Sequence, residues 1–535
     1  MTSTSRNLFE RISVWPVAGA IITINVVLAT WAKNILRLGF ESAWPTLIGA
    51  IIGAALVTAI LRAATGSWAK AGIASGLVAL YVFYVPAIVK ITGASAIVMG
   101  GMHLAAVGLL YLFWRALPKA DDKFAAIASR LNLICLILLV WNVAPLVQDN
   151  IKLEQRRSAA VSTLPPMEGS AASNSPDVWH LIFDRYAADS TLLARYGYDN
   201  SDFSDALRQR GFVVSQDAFA NYQRTGHSVA STMNGSMLDP MAPAMKSGQR
   251  DWVPIYRAMR DSEALRQFDR MDYRTVWAGS WWEPTRFSNI ASESIQIRSR
   301  PQLTRLLIRD SALGFWKKRL SLHILDDRED QCLRSDEKFD ALMKLASEDD
   351  RKLVLGHFLI PHPPFVLNAD GSCKSLRTAV KTSRRDNYVD QVRFVNDRVI
   401  KLVDAILAGP RPAIIVIHSD EGPWPEPYVG NEHGLGTDPV RVPWADLTPE
   451  QMHEKFAILM AVRSPDGKAP KIMPDSPVQI YPAILKEHFG STQQLPESRH
   501  VVFKHKRKLY DFEDISDRLG VGQAEKKKPV LAQNR

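Results

Sequence analysis

The sequence predicts two folds in tandem: an α-helical membrane anchor of five transmembrane helices, then an α/β domain with a mostly parallel sheet. Three observations carry this reading. Five apolar runs of near-spanning length fill the first 150 positions, a polar joint with two prolines follows, and from Asp177 apolar strands alternate with helically periodic segments. The 535 residues are 47% apolar and 22% charged, which excludes disorder, collagen-like repeats and a coiled coil. The formal charge of +10 raises the question of nucleic acid. Residues 1–150 hold 11 Lys and Arg against 5 Asp and Glu, placed between hydrophobic runs, and no basic stripe follows. That distribution argues against nucleic acid and for a membrane.

The five runs are Val14–Ala32, Trp44–Ile60, Ala71–Val89, Ala96–Trp114 and Phe124–Val147. Each approaches the roughly 20 residues that a helix needs to cross a hydrocarbon core. Alternate loops hold eight basic residues on one side (Arg6, Arg11, Arg62, Lys70, Arg115, Lys119, Lys123, Arg130) and three on the other (Lys33, Arg37, Lys90). The positive-inside rule then puts the amino terminus in the cytoplasm, and five spans export everything after Val147. In a bacterial cell this is a multi-pass protein of the inner membrane with its second domain in the periplasm or outside. His103, inside the fourth run, is either a functional ionisable group or a neutral one bonded to a backbone carbonyl. Cys135 in the fifth run reads as packing.

The organisation expected is an anchor over 1–147, a linker over 148–176, an exported domain over 177–519 and a disordered tail over 520–535. Pro165, Pro166 and the small-residue tract Gly169–Ser175 mark the linker, and Lys526–Lys528 the tail. Strands are expected at Val178–Phe183, Val213–Val214, Thr275–Ala278, Leu353–Leu359, Ala413–Ile417 and Phe456–Val462. A helix is expected over Asn387–Leu407, where valines and leucines recur at helical spacing. In an open α/β sheet the chemistry gathers at the carboxyl ends of the strands. Asp184 follows the first strand, His362 the fourth, and His418-Ser-Asp420-Glu421-Gly422 the fifth. One such Asp is as readily a helix cap; three strand ends bearing ligand types point to a site.

Three stretches then resemble the sulfatase-like branch of the alkaline phosphatase superfamily: Val178–Asn221, the Ile360–Phe365 segment (IPHPPF) and Ile414–Gly422 (IIVIHSDEG). Glu454–Val462 and Tyr481–Gly490 are similar to that branch's closing strand and helix. Five membrane helices ahead of such a domain further resemble lipoteichoic acid synthases and lipid A phosphoethanolamine transferases. The resemblance implies an alkaline-phosphatase-like domain holding one divalent metal, with a Ser, Thr or formylglycine nucleophile. Asp184 and Asp420 match the carboxylate ligands, and Thr225, at the start of an expected helix Gly226–Met237, the nucleophile and a further ligand. Thr225 also fits a plain helix cap, and Ser228 is the fallback. No Cys-x-Pro-x-Arg run is present, which disfavours a true sulfatase.

The usual Asp-His-Gly is here Asp420-Glu421-Gly422, so either Glu421 or His433 completes the metal set, or metal affinity is lost. With Glu421 the donors are all oxygen, which favours Mn²⁺ or Mg²⁺ over Zn²⁺. His362 is implied as a phosphoryl-oxygen donor or leaving-group acid, or is a turn histidine between Pro361 and Pro363. Arg185 points to a one-metal transferase site or pairs with Asp189. Trp277, Trp281 and Trp282 line an acceptor groove or fill the core. Cys332 and Cys373, both exported, are open to pairing. The implied activity moves phosphoglycerol or phosphoethanolamine from a membrane phospholipid to an envelope glycan or lipid through a phosphothreonine. The alternatives are a phosphate or sulfate ester hydrolase and a catalytically dead envelope binding protein.

Overall fold

The computed structural model describes residues 15–92, 96–116, 121–216, 218–320, 327–426, 428–429, 442–505 and 507–520. The chain forms two compact units, Met1–Gln155 with Arg300–Asp326, and Arg156–Ser299 with Asp327–Arg535. The expected tail beyond Gly520, and His433, lie outside the described residues.

Each predicted apolar run overlaps a helix, the first from Ala18 onward: α1 Ala18–Lys33, α2 Phe40–Thr65, α3 Trp68–Thr92, α4 Ala96–Ala116 and α5 Asp121–Val161. α2 ends on Gly66 at φ 69°, whose N–H returns to the Arg62 carbonyl at 3.0 Å, a left-handed closure that suits glycine. Phe40–Thr65, Trp68–Pro86 and Phe124–Val161 are long and apolar enough to cross a membrane, and α1 is a shorter apolar helix. α5 continues past Val147 to Val161, so half of the expected linker is helical.

The segment 300–320 is expected in the exported domain, yet it packs with the first unit's helices. It carries two short helices, Gln302–Arg309 and Ala312–Arg319. Leu303 is buried among Val27, Trp31, Leu38 and Ala43, and Thr304 hydrogen-bonds Thr46 at 2.8 Å. His103 is buried and bonds not a carbonyl but the Tyr81 hydroxyl, at 3.1 Å. Phe315 stacks on its ring at 4.1 Å, and Trp316 Nε1 donates to the same Tyr81 hydroxyl at 2.8 Å. These contacts satisfy the histidine within an aromatic cluster.

The second unit is built on a seven-stranded sheet in the order β2-β7-β6-β1-β5-β3-β4. Its strands are β1 Asp177–Phe183, β2 Val213–Val214, β3 Arg274–Ala278, β4 Glu293–Ile295, β5 Lys352–Phe358, β6 Ala413–His418 and β7 Met460–Arg463. β6, β1, β5, β3 and β4 run parallel, and β7 is antiparallel to both β6 and β2. The pleat sends alternate residues to opposite faces. Val178, Ile182, Leu353, Leu355, Ile414 and Val416 pack into one core. Trp179, Leu181, Phe183, Val354, Ile415 and Ile417 pack into the other. A sheet buried on both sides needs such near-continuous apolar strands.

The long helix spans Arg384–Leu407, starting three residues before the expected point because the Ser383 side chain caps it on Asp386 N. Its buried face includes Val392, Val395, Val399, Leu402, Val403 and Ile406. The last expected strand begins at Met460, since Phe456 instead ends a helix, Pro449–Phe456. β4 and the hairpin β8 Val501–Phe503 with β9 Phe512–Asp514 escaped the sequence because each has only three residues. Trp277 is core, and Trp281 and Trp282 are half-buried. Cys332 and Cys373 form a disulfide, and Cys135 is free and buried.

Candidate active site

Three adjacent strands, β6, β1 and β5, deliver the site at their carboxyl ends. Asp184 is the first residue after β1, and Asp420 stands two residues after β6. His357 is the penultimate residue of β5, in register with Ile182 of β1. One ligand atom from each of Asp184, His357 and Asp420 lies within 4.8 Å of the others, and all three residues are buried. Asp184 Oδ1, Asp420 Oδ2 and His357 Nε2 have no hydrogen-bond partner among the described residues. Unpartnered buried polar atoms cost free energy, and three converging on one point suit a cation. Two carboxylate oxygens and an imidazole nitrogen are a donor set for a divalent metal, so the residues fit the group that the sequence resemblance implies.

The supporting bonds fix this geometry. His357 Nδ1 meets the Thr285 hydroxyl at 3.0 Å, which leaves Nε2 facing the carboxylates. Burial, with help from the Lys338 charge, holds His357 down to about 3, so its ring is neutral and its nitrogen can bind. Burial and the mutual repulsion of the two carboxylates push Asp184 well up, and burial with the Glu421 charge pushes Asp420 up. The Asp184 amide donates to the Phe358 carbonyl at 2.8 Å, and the Asp184 carbonyl accepts from His362 N at 3.1 Å. Arg185 takes φ 65°, a left-handed conformation costing about 1–3 kcal/mol in a non-glycine residue. Its amide reaches Asp420 Oδ1 at 3.4 Å, and its carbonyl accepts from the Tyr388 hydroxyl at 2.7 Å.

Thr225 opens the helix Thr225–Asn234, and Arg224 rather than Thr225 occupies the N-cap. The Thr225 side chain is half-buried and close enough to Asp420 to offset part of the upward push on that carboxyl. It therefore reaches both the carboxylate pair and solvent. Ser228 is fully buried.

Glu421 is differently placed. Its Oε1 pairs with Arg185 Nε at 3.2 Å and its Oε2 with Lys455 Nζ at 3.1 Å, all three side chains being buried. It acts as the counter-ion of two buried cations, and Arg185 pairs with it rather than with Asp189. Lys455 Nζ also donates to the Gly422 carbonyl at 2.8 Å. A Cβ on Gly422 would meet the Glu454 carbonyl oxygen at 2.3 Å, so this close approach demands glycine. The all-oxygen premise for Mn²⁺ or Mg²⁺ loses its force once His357 joins the set. The half-buried His362 touches the site through its backbone, and its Nδ1 turns to the Pro363 carbonyl.

Two more histidines lie on the same face of the sheet. His180 Nε2 and His418 Nε2 are 2.7 Å apart, His180 Nδ1 meets the Tyr481 hydroxyl at 3.0 Å, and His418 Nδ1 meets the Ser419 carbonyl at 2.8 Å. A carbonyl only accepts, so His418 donates from Nδ1 and accepts at Nε2. His180 then donates from Nε2 and accepts from Tyr481. The chain closes with every atom used.

The fold and site define an α/β unit with a two-carboxylate, one-imidazole centre beside a threonine hydroxyl. No protein-family model and no curated protein matches the sequence. Similar solved structures include the C-terminal periplasmic domain of EptC from Escherichia coli, at 12% identity, 67% of this chain, 98% of that one and a TM-score of 0.42. The integral membrane lipooligosaccharide phosphoethanolamine transferase A from Neisseria meningitidis shares 12% identity over 86% of this chain and 88% of its own, with a TM-score of 0.31. A phosphonate monoester hydrolase from Silicibacter pomeroyi shares 13% over 60% and 74%, with a TM-score of 0.36. The resemblance read in the sequence recurs here; at TM-scores below 0.5 these likenesses carry no function across to this chain.

Proposed function

We propose that this protein is a membrane-anchored, metal-dependent transferase that moves a phospho-alcohol head group, phosphoglycerol or phosphoethanolamine, from a phospholipid to an envelope glycan or lipid. The observation that supports it is the convergence of Asp184, His357 and Asp420 around unpartnered ligand atoms, with the Thr225 side chain near Asp420. Asp184, His357 and Asp420 would hold one divalent cation with Thr225 beside it, and Glu421 serves as a counter-ion. When bound, the metal supplies positive charge to a phosphoryl oxygen and makes a nearby hydroxyl more acidic.

The chain's own residues do the rest. Thr225 passes its proton towards Asp420 as its oxygen bonds to phosphorus, and the phosphorus–oxygen bond to the lipid alcohol breaks. The half-buried His362, once its ring turns from the Pro363 carbonyl, would be the proton donor to that departing oxygen. An acceptor hydroxyl then attacks the phosphorus and gives its proton to the histidine, the Thr225–phosphorus bond breaks, and Asp420 returns the proton that restores the threonine hydroxyl. The helical unit keeps the reaction at the lipid surface: α1–α5 cross the membrane, the second unit is exported, and the disulfide fits an oxidising compartment.

The test uses the full chain in detergent micelles with a phospholipid of labelled head group. Peptide mass spectrometry is expected to find Thr225 carrying the phospho-alcohol, and Thr225→Ala to abolish both that mass and transfer. Release of the head group to water without transfer would make the protein a hydrolase. No adduct, no turnover and no bound divalent metal would leave a binding protein.

A further inference from the structure

The segment 300–320 lies in sequence between β4 and the helix Asp327–Ala346, yet it belongs to the first unit. Its packing selects one end of the helical bundle. Leu303 clusters with Trp31, Leu38 and Leu146, which stand at the end of α1, in the turn before α2 and at the close of the fifth apolar run. The charge asymmetry of the loops puts that end outside, the side to which five spans bring the segment. The corner between its two helices is fixed. Ser311 Oγ donates to the Ile308 carbonyl at 2.9 Å and accepts from Leu313 N at 3.2 Å. A Cβ on Gly314 would meet the Ile308 carbonyl oxygen at 2.5 Å, a close approach that demands glycine.

The outer face of this corner is apolar and basic together. Leu313 and Leu320 are 57% and 60% exposed, and Lys317 is spaced four residues from one and three from the other, on the same helical face. Phe40 and Trp44, at the start of α2, are exposed as well. Apolar and aromatic side chains bared at the end of a spanning helix suit the boundary between hydrocarbon and water. Residues 300–320 carry six basic side chains (Arg300, Arg305, Arg309, Lys317, Lys318, Arg319) against one acidic, Asp310. The short loops at that end hold only Lys33, Arg37 and Lys90. Arg300 stands 153 positions after Val147, too far for the segment's charge to direct insertion.

We propose that this helical corner lies in the interface of the exported leaflet and binds anionic phospholipid head groups through Arg309 and Lys317. The proposal rests on the exported topology given above and not on the transfer chemistry. Leu313 and Leu320 enter the acyl boundary, while Lys317 lays its stem along it and lifts the ammonium to the level of the phosphates. Arg309 is exposed and pairs with its neighbour Asp310 at 2.9 Å, both side chains in solvent. Such a pair is weakly held, and a lipid phosphate offers the guanidinium two oxygens in its place. A zwitterionic head group brings its own cation beside its phosphate, so the excess of positive charge selects an anionic lipid over it.

The experiment titrates the full-length, delipidated protein in detergent with phosphatidylglycerol or phosphatidylcholine and counts bound lipid by native mass spectrometry. The wild type is expected to hold phosphatidylglycerol about tenfold more tightly, and to lose much of that preference between roughly 0.1 and 0.5 M salt. Arg309→Gln with Lys317→Gln is expected to bind both lipids alike, whereas Arg309→Lys with Lys317→Arg keeps the preference. Depth is read from a nitroxide on Leu313→Cys, in a Cys135→Ala background, in vesicles of the two lipids. Oxygen should reach it more readily than a water-soluble nickel chelate does. Equal affinity for the two lipids in the wild type overturns the proposal, as does a neutralised variant that keeps the preference. A nitroxide that the chelate reaches freely overturns it too, and would make the corner a water-facing surface. Thr225→Ala should select the anionic lipid as the wild type does. A protein without turnover that still selects it would end the transferase reading and leave this one standing.

Discussion

Three histidines sit buried on one face of three neighbouring strands, and they divide into two regions. On β1 and β6, His180 and His418 satisfy each other and end on Tyr481 and a backbone carbonyl. On β5, His357 has one nitrogen bonded to Thr285 and the other bare, beside two carboxylates that each keep one bare oxygen. Residue type, sheet face and burial are alike. What separates a structural histidine from a ligand candidate is the count of filled lone pairs. The carboxylates differ in their counter-charges, since Glu421 is paired with two cations and its neighbour Asp420 faces a second carboxylate.

The contrast is sharpest at His357. His357→Gln should release the metal, measured by elemental analysis, with a larger loss of affinity than the roughly 10–100-fold expected for its outer partner in Thr285→Val. Equal metal content in His357→Gln and wild type would break the division. Next in size is Glu421→Gln, which leaves Arg185 and Lys455 buried without their charge. Denaturant melts should show a loss of about 3–5 kcal/mol, with the metal retained. Loss of metal at unchanged stability would return Glu421 to the ligand set.

The satisfied pair has a pH signature. Burial first, then the His418 and His357 charges, hold His180 well below its ordinary value. The folded form refuses a proton that the unfolded chain accepts near 6.5. Stability from this group is therefore whole above pH 6.5 and drains as pH falls below it, by at most about 1.4 kcal/mol per pH unit. Melting temperatures between pH 7.5 and 5 should fall less steeply for His180→Gln than for the wild type. The smallest effect belongs to Tyr481→Phe, which deletes one donor at the end of the chain. It should cost about 1 kcal/mol and leave metal content untouched.

The sequence made the parallel sheet legible because apolar strands alternate with a long periodic helix, and Asp184 and Asp420 legible because they directly follow strands. Their partner on β5 was hidden. His357 lies inside an apolar strand, where its pairing with Ile182 and its bond to Thr285 depend on residues far away in sequence. Attention went to His362, five residues on, because it follows the strand. Glu421 looked like a ligand by position, and only the fold brings Lys455 to it. The helix Gln302–Arg309 has an ordinary amphipathic pattern, and nothing local tells that Leu303 will pack with Trp31.

The central position of β1 sets the order of events during synthesis. Val178 must wait for Leu353, and Asp177 for Ala413, before either edge of the strand is paired. An apolar strand with both edges open is a template for mispairing, and distant pairings form slowly. The first carboxylate of the site is thus synthesised long before the second. A nascent chain stopped anywhere short of β6 carries no centre at all, only its most adhesive strand. Such a molecule depends on being held apart from its neighbours until its last third arrives.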